Sequence, residues 1–302
     1  MEEKTWVEKS RVKDKPANSL TVMLKTRGCS YAKRKGSCSF CAFYGFAEKN
    51  PLGLGPEKLT SRLVAALSNH KLEEEGISEL KLYNGGSFFA NEEVWHTERE
   101  AMLCAIAKYG FRKLLVEARP EHISAWKIRE ATVSLGNSEL EVAMGLETAN
   151  DALRERLRKG FTRADFNRAA ATLARFGVTT GAYILVKPVP MSEEEAKADA
   201  LGSLEYLAAL RARLGVRVSA RLQAFTLYEG MSPEPGHVPV SLSTLMDIIK
   251  KAPDNLDMFI GWNEGEAVLS AVDSGVVTEL RQIRDKIERF NSTGDRKIFE
   301  GS

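Results

Sequence analysis

The sequence predicts an α/β fold: a partial (β/α)6 barrel followed by a mainly helical C-terminal extension. Three observations lead there. From Thr21 onward, short β-rich runs alternate with longer helical patterns, the rhythm of parallel strands joined by crossover helices. The alternation repeats six times, too few for a closed eight-unit barrel. After Tyr228 it stops, and a stretch containing Gly230, Pro233, Pro235, Gly236 and Pro239 intervenes, which reads as a loop. The chain therefore divides into an N-terminal segment (1–20), the barrel (21–228) and the extension (229–302).

The expected strands are 21–25, 79–84, 113–118, 140–147, 179–186 and 217–225. Several are nearly continuous in apolar residues, as strands covered on both faces should be. Helices are expected at 57–68, 92–109, 121–135, 163–176 and 193–213, and in the extension at 241–251 and 276–290. The helix from 193 has the clearest start: Ser192 is placed to cap it, Glu195 stands three residues later, and Glu193 to Glu195 lie beside the positive helix end. Asp165, Ala169, Leu173 and Phe176 mark one face of another, closed by Gly177.

With 302 residues and 43% hydrophobic content, the chain can bury a substantial core. No apolar run approaches the length of a membrane span, and the charged start MEEKTWVEKSRVKDK has no apolar signal segment. A soluble, cytoplasmic protein without a membrane partner is expected. Lysine plus arginine number 43 against 41 aspartate plus glutamate, a net charge of +2, which argues against a protein that coats nucleic acid but allows a local basic groove.

Four cysteines are too few for a disulfide scaffold. Three of them, Cys29, Cys38 and Cys41, form C-x8-C-x2-C in the loop after the first expected strand, beside Gly28 and Gly36. Three thiolates can hold three corners of a 4Fe-4S cluster, and the missing fourth ligand leaves one iron open. The alternative is a zinc knuckle completed by a histidine or Cys104. His70, His96, His122 and His237 are scattered, however, and Cys104 lies in the apolar run from Met102 to Ile106, where a core position is expected.

Other candidates cluster at strand C-terminal ends. Gly85, Gly86 and Ser87 follow the second expected strand, where glycine permits close backbone approach. Glu117 and Glu147 end the third and fourth strands. A carboxylate there can hydrogen-bond a ribose or an amine, or serve in a structural salt bridge with Arg119 or Lys187. Lys159 stands among Arg154, Arg156, Arg158 and Arg163, which read as a solvated helix face. Arg211, Arg213, Arg217 and Arg221 are either local phosphate contacts or ordinary exposed residues.

Three cysteines in the first loop of a six-unit barrel resemble the radical S-adenosylmethionine (SAM) superfamily, whose commonest spacing is the shorter C-x3-C-x2-C. The resemblance implies a 4Fe-4S cluster on Cys29, Cys38 and Cys41 and SAM as second cofactor. It places Phe40 near the adenine, Gly85, Gly86 and Ser87 at the amino group, and Lys159 at the carboxylate of SAM, with Glu117 and Glu147 as catalytic or cofactor-binding groups. More narrowly, Arg27-Gly28-Cys29, Gly86-Ser87-Phe88, the run from Val116 to Glu121, the run from Gly145 to Asp151 and the run from Ala182 to Pro188 resemble the family of radical SAM subunits of archaeosine synthase. The Elongator catalytic-subunit family shares parts of this pattern.

That resemblance implies a lyase-type reaction in tRNA modification: a 5'-deoxyadenosyl radical fragments a lysine adduct of a 7-deazaguanine base to archaeosine. A tRNA substrate, a partner subunit that transfers lysine and an electron donor follow. The C-terminal third departs from the family, since the nearest tryptophan after the sixth strand is Trp262. Two other readings stay open: a radical SAM enzyme acting on a small or lipid-like molecule, and a non-catalytic cluster-binding scaffold.

Overall fold

The computed structural model describes residues 3–41, 58–226, 234–261 and 274–300. One curled eight-stranded sheet organises them, each strand pairing with the next in sequence. β1 (Lys4–Val12) and β2 (Lys15–Met23) form an antiparallel hairpin. Its turn residues Lys13 and Asp14 have φ of 52° and 60°, as a tight twisted hairpin requires. β3 (Ile77–Tyr83), β4 (Lys113–Glu117), β5 (Glu139–Glu147), β6 (Thr179–Val186), β7 (Val218–Ala224) and β8 (Asp257–Gly261) then add in parallel.

The helices are α1 (Ser30–Lys35), α2 (Leu59–Leu67), α3 (His96–Lys108), α4 (Ala125–Leu135), α5 (Asp151–Arg156), α6 (Arg163–Ala174), α7 (Glu193–Leu214), α8 (Leu242–Lys251) and α9 (Ser274–Thr293). α7 starts as its sequence predicts: Ser192 Oγ accepts the Glu195 amide at 3.1 Å, and Glu195 accepts the Ser192 amide at 2.8 Å. The expected helix at 121–135 begins late, because Pro120–His122 forms a 3-10 turn first. No helix among the described residues is long and apolar enough to cross a membrane.

Six strands were expected and eight are present among the described residues. The expected strand 21–25 is only the end of β2, and residues within 1–20 supply β1 and the start of β2. β8 lies in the extension expected to be mainly helical. Of the loop beyond the barrel, Gly230 and Pro233 lie outside the described residues, as does Trp262.

The two faces of the sheet differ more than an apolar reading allows. Leu80, Leu82, Leu114, Val116, Val142, Met144, Ile184 and Leu222 join the helices in the core. The alternate residues are polar and meet one another on the concave side. At the N-terminal ends of the strands, Lys113 Nζ lies 3.0 Å from Glu79 Oε1 and 2.6 Å from Glu141 Oε2. Arg221 reaches Glu141 Oε1 at 2.9 Å, and Ser219 donates to it at 2.7 Å. Burial opposes the charge on Glu141, but Arg221 and Lys113 outweigh it and hold the carboxyl well below its ordinary range. The barrel is thus plugged at the bottom by matched charges.

The sheet does not close on itself, and Arg11 of β1 crosses the seam. Its guanidinium donates to the Met258 carbonyl at 2.7 Å and pairs with Asp257, both on β8. It also donates to the carbonyls of Phe290 and Asn291 on α9 at 3.2 and 3.1 Å. The Asn291 amide satisfies the free edge of β8, accepting from the Ile260 amide at 2.9 Å and donating to its carbonyl at 2.8 Å.

Candidate active site

The strand C-terminal ends bring most of the sequence candidates together. β2 leads into the cysteine loop, where Cys29 precedes α1 and the Cys41 amide turns back to the Cys38 carbonyl at 3.2 Å. All three cysteines are half-buried and outside any disulfide. Burial pushes the Cys29 thiol above its ordinary range. Cys104 is not a core residue: it is exposed on α3, because Met102, Leu103 and Ile106 take the inward face. It offers no fourth ligand to the loop.

The thiol spacing bears on zinc. Among the described residues, the only group of three or more potential metal ligands with all ligand atoms within 4.8 Å of one another is His96, Glu100 and Glu130. A tetrahedral zinc with bonds of about 2.3 Å would hold its sulfurs roughly 3.8 Å apart. Cys29, Cys38 and Cys41 do not form such a group. His70 is tied to Glu75 and Thr5, and His237 to the Lys187 carbonyl.

The glycine loop packs directly on this segment. A Cβ on Gly86 would lie 3.2 Å from Cys29 Cα and 1.9 Å from Glu93 Oε2, so no side chain fits there. Gly85 has φ of 65°, a conformation that glycine adopts freely. Glu93, absent from the sequence candidates, joins the two loops: it accepts the Ser30 amide at 2.8 Å and the Ser87 amide at 2.5 Å. Burial pushes its carboxyl up.

Arg119 is a second tie the sequence did not disclose. Its guanidinium lies 3.7 Å over the Tyr31 ring, donates to the Lys159 carbonyl at 2.6 Å and pairs with Glu121 at 2.6 Å. Its amide donates to Ser87 Oγ at 3.0 Å. The cysteine, glycine and Lys159 loops therefore converge on one residue. Tyr31 and Ser39 complete the junction, donating to the carbonyls of Arg158 at 3.0 Å and Leu157 at 3.2 Å.

Lys159 and Glu147 form a buried pair at 3.0 Å. Burial opposes the ammonium of Lys159, but Glu147 and then Cys38 outweigh it and raise its affinity for a proton. The Lys159 Nζ lies 5.4 Å from the Phe40 ring. Glu147 reaches this place through a register shift between β5 and β6 and a φ of 64°, the kind of local irregularity that re-aims a side chain at a site. The salt bridges considered for Glu117 and Glu147 are not the ones formed, since Arg119 pairs with Glu121 and Lys187 with Glu193. Burial pushes the Glu117 carboxyl up to about 7. Tyr183 and Tyr83 meet at 3.2 Å across the concave face.

The basic residues sort differently from their expected roles. Arg154 is buried rather than solvated, donating to the carbonyls of Leu146 and Thr148. Arg221 belongs to the internal charge plug, and Arg217 pairs with Asp14 at the opposite end of the barrel.

A curled parallel sheet whose first loop carries three cysteines, set against a glycine-rich second loop, is the arrangement that the radical SAM resemblance implies. More particularly, the chain is similar to proteins named archaeosine synthase subunit beta. It is 29% identical to that protein of Methanosarcina acetivorans over 82% of this chain and 70% of the relative. With the Thermococcus kodakarensis protein of the same name it shares 26% over 81% of this chain and 75% of the relative. Among solved structures, an N-terminally truncated Elp3 of Methanocaldococcus infernus superposes with a TM-score of 0.53 at 14% identity. That match covers 89% of this chain and 62% of Elp3, less than two thirds of its length. No protein-family model matches.

Proposed function

We propose that this chain is the radical SAM subunit of a two-component tRNA-modifying enzyme, acting in archaeosine formation as a lyase. The carrying observation is the junction of the cysteine and glycine loops through Glu93 and Arg119, in a chain similar to proteins named archaeosine synthase subunit beta.

Cys29, Cys38 and Cys41 would hold a 4Fe-4S cluster, and Gly85, Gly86, Ser87, Phe40, Lys159 and Glu147 would receive SAM. When bound, the two cofactors supply one-electron cleavage of SAM to a 5'-deoxyadenosyl radical. The protein's share is orientation and exclusion of water. Gly86 leaves a side-chain-free approach beside Cys29. Lys159 offers a cation at the position suited to a carboxylate, and Glu147 keeps that ammonium charged until a ligand arrives. Glu117, held near neutrality, can donate or accept a proton at the chamber wall. An external reductant and a lysine-transferring partner subunit complete the reaction, which belongs in the cytoplasm.

Reduced, cluster-loaded protein incubated with SAM and lysine-modified tRNA should form 5'-deoxyadenosine and archaeosine. Turnover with small metabolites but not tRNA would refute the substrate. A resonance spectrum of the cluster unmoved by SAM would refute the enzyme. Cys38→Ala should abolish both the intact cluster and SAM cleavage.

A further inference from the structure

The two ends of the barrel carry their surface cations differently. At the bottom several are tied to acids, Arg217 to Asp14 at 2.9 Å, Lys13 to Glu139 at 3.4 Å and Arg11 to Asp257, while Lys108, Arg112 and Arg175 are exposed without an ion pair among the described residues and are spread over separate elements. Arg211 donates to the Asn255 carbonyl, and Arg213 to Asn167 at 2.9 Å.

At the mouth they are gathered in one stretch. From Lys25 to Cys41 the chain holds Lys25, Arg27, Lys33, Arg34 and Lys35 and no carboxylate. Arg34 pairs with Glu92. Arg27, Lys33 and Lys35 are exposed and have no ion-pair partner among the described residues. The neighbouring segment adds Arg158, also exposed and unpaired among them. These two segments form one continuous rim, because Tyr31 donates to the Arg158 carbonyl at 3.0 Å and the Ser39 amide to the Leu157 carbonyl at 3.2 Å. Of the nearby acids, Glu121 is engaged by Arg119 and Glu92 by Arg34, which leaves Glu155 as the one exposed carboxylate beside Arg158 against four cations.

The C-terminal end of α1 accounts for some basic character, since cations there oppose the helix dipole. It does not account for Arg27, which precedes the helix, or Arg158, which belongs to another segment. Clustered like charges destabilise a fold unless an anion answers them. We propose that Arg27, Lys33, Lys35 and Arg158 form a phosphate-binding rim that grips the RNA backbone while the target base enters the chamber beneath. This rests on the tRNA reading above and replaces Arg211, Arg213 and Arg217 as the expected phosphate contacts, since those residues lie at the far end of the barrel.

The test uses full-length, cluster-loaded protein and unmodified bulk tRNA, with affinity measured by fluorescence polarisation from about 50 to about 200 mM salt. The triple variant Lys33→Ala, Lys35→Ala, Arg158→Ala should bind more weakly, with its log–log salt slope reduced by about 2 to 3. Arg211→Ala, Arg213→Ala, Arg217→Ala should bind as the unaltered protein does. The charge-keeping set Lys33→Arg, Lys35→Arg, Arg158→Lys should restore affinity, which separates lost charge from lost folding. An unchanged slope in the mouth variant, or a loss confined to the bottom variant, overturns the rim. So does a mouth variant whose cluster spectrum changes while its tRNA affinity does not, because the cations would then serve the cluster. The binding assay needs no turnover, so failure of lysine-modified tRNA as substrate would sink the reaction proposed above and leave the rim standing.

Discussion

Replacing Arg119 by methionine keeps most of the side chain's volume and removes its charge. The bond to the Lys159 carbonyl is buried and charge-assisted, and contributes about 1.5 to 3 kcal/mol. Stacking on Tyr31 at 3.7 Å adds about 1 to 2 kcal/mol. Glu121 is 41% exposed, so its pair adds at most about 0.5 kcal/mol. The total, about 3 to 5 kcal/mol, corresponds to a melting shift of roughly 6 to 10 °C for a chain of this size. Arg119→Lys should recover little, since an ammonium neither stacks nor reaches two partners in one plane. Because the Lys159 bond and the Tyr31 stack tie separate loops together, the cluster should also be lost faster. The assay is thermal unfolding of cluster-loaded protein together with the rate of iron release to a chelator. If Arg119→Met melted within a degree of the unaltered protein and released iron at its rate, convergence of the loops on Arg119 would have no energetic meaning.

Gly86→Ala should abolish SAM cleavage, because its Cβ would overlap the Glu93 carboxylate, whereas Gly85→Ala meets nothing within 4 Å and should cost only about 1 to 2 kcal/mol for its positive φ; 5'-deoxyadenosine yield and melting temperature separate the two. Glu117 binds its proton more tightly folded than unfolded, so it favours the folded state below the unfolded carboxyl range and loses that contribution as pH rises through about 7. Melting curves of Glu117→Gln should therefore lack the decline that the unaltered protein shows between about pH 4.5 and 7. Arg221→Met strips a cation from the internal plug and should destabilise by about 3 to 5 kcal/mol in denaturant titration, while the double change Arg221→Met, Glu141→Leu should recover most of that loss.

The sequence exposes elements whose pattern is periodic and hides those whose logic is spatial. The crossover helix from Glu193 was legible because its cap is local: Ser192 and Glu195 answer each other three residues apart. β1 was not, since KTWVEKSRV presents lysines, a glutamate and an arginine along an exposed, partly lumen-facing edge, and β8 is only five residues long. Cys104 was misjudged because apolar neighbours in sequence are not neighbours on a helix, where Met102, Leu103 and Ile106 point inward without it. Gly85, Gly86, Lys159 and the three cysteines carry a chemical signature in their types and positions. Glu93 and Arg119 carry none, because their importance lies in bonds to residues 63 and 40 positions away. The available hint was that each is a charge set in an otherwise apolar or turn-forming stretch close to a strand end.

The seam between β1 and β8 sets how the chamber can respond to a bulky guest. A continuous ladder of amides would fix the girth of the barrel, since widening it means breaking several backbone bonds together. Here the Arg11 guanidinium of β1 reaches β8 while the Asn291 carboxamide ties β8 to α9, and long side chains can lengthen or pivot while keeping their partners. The same wall can therefore widen with its side-chain partners kept, which a fully hydrogen-bonded barrel could not do.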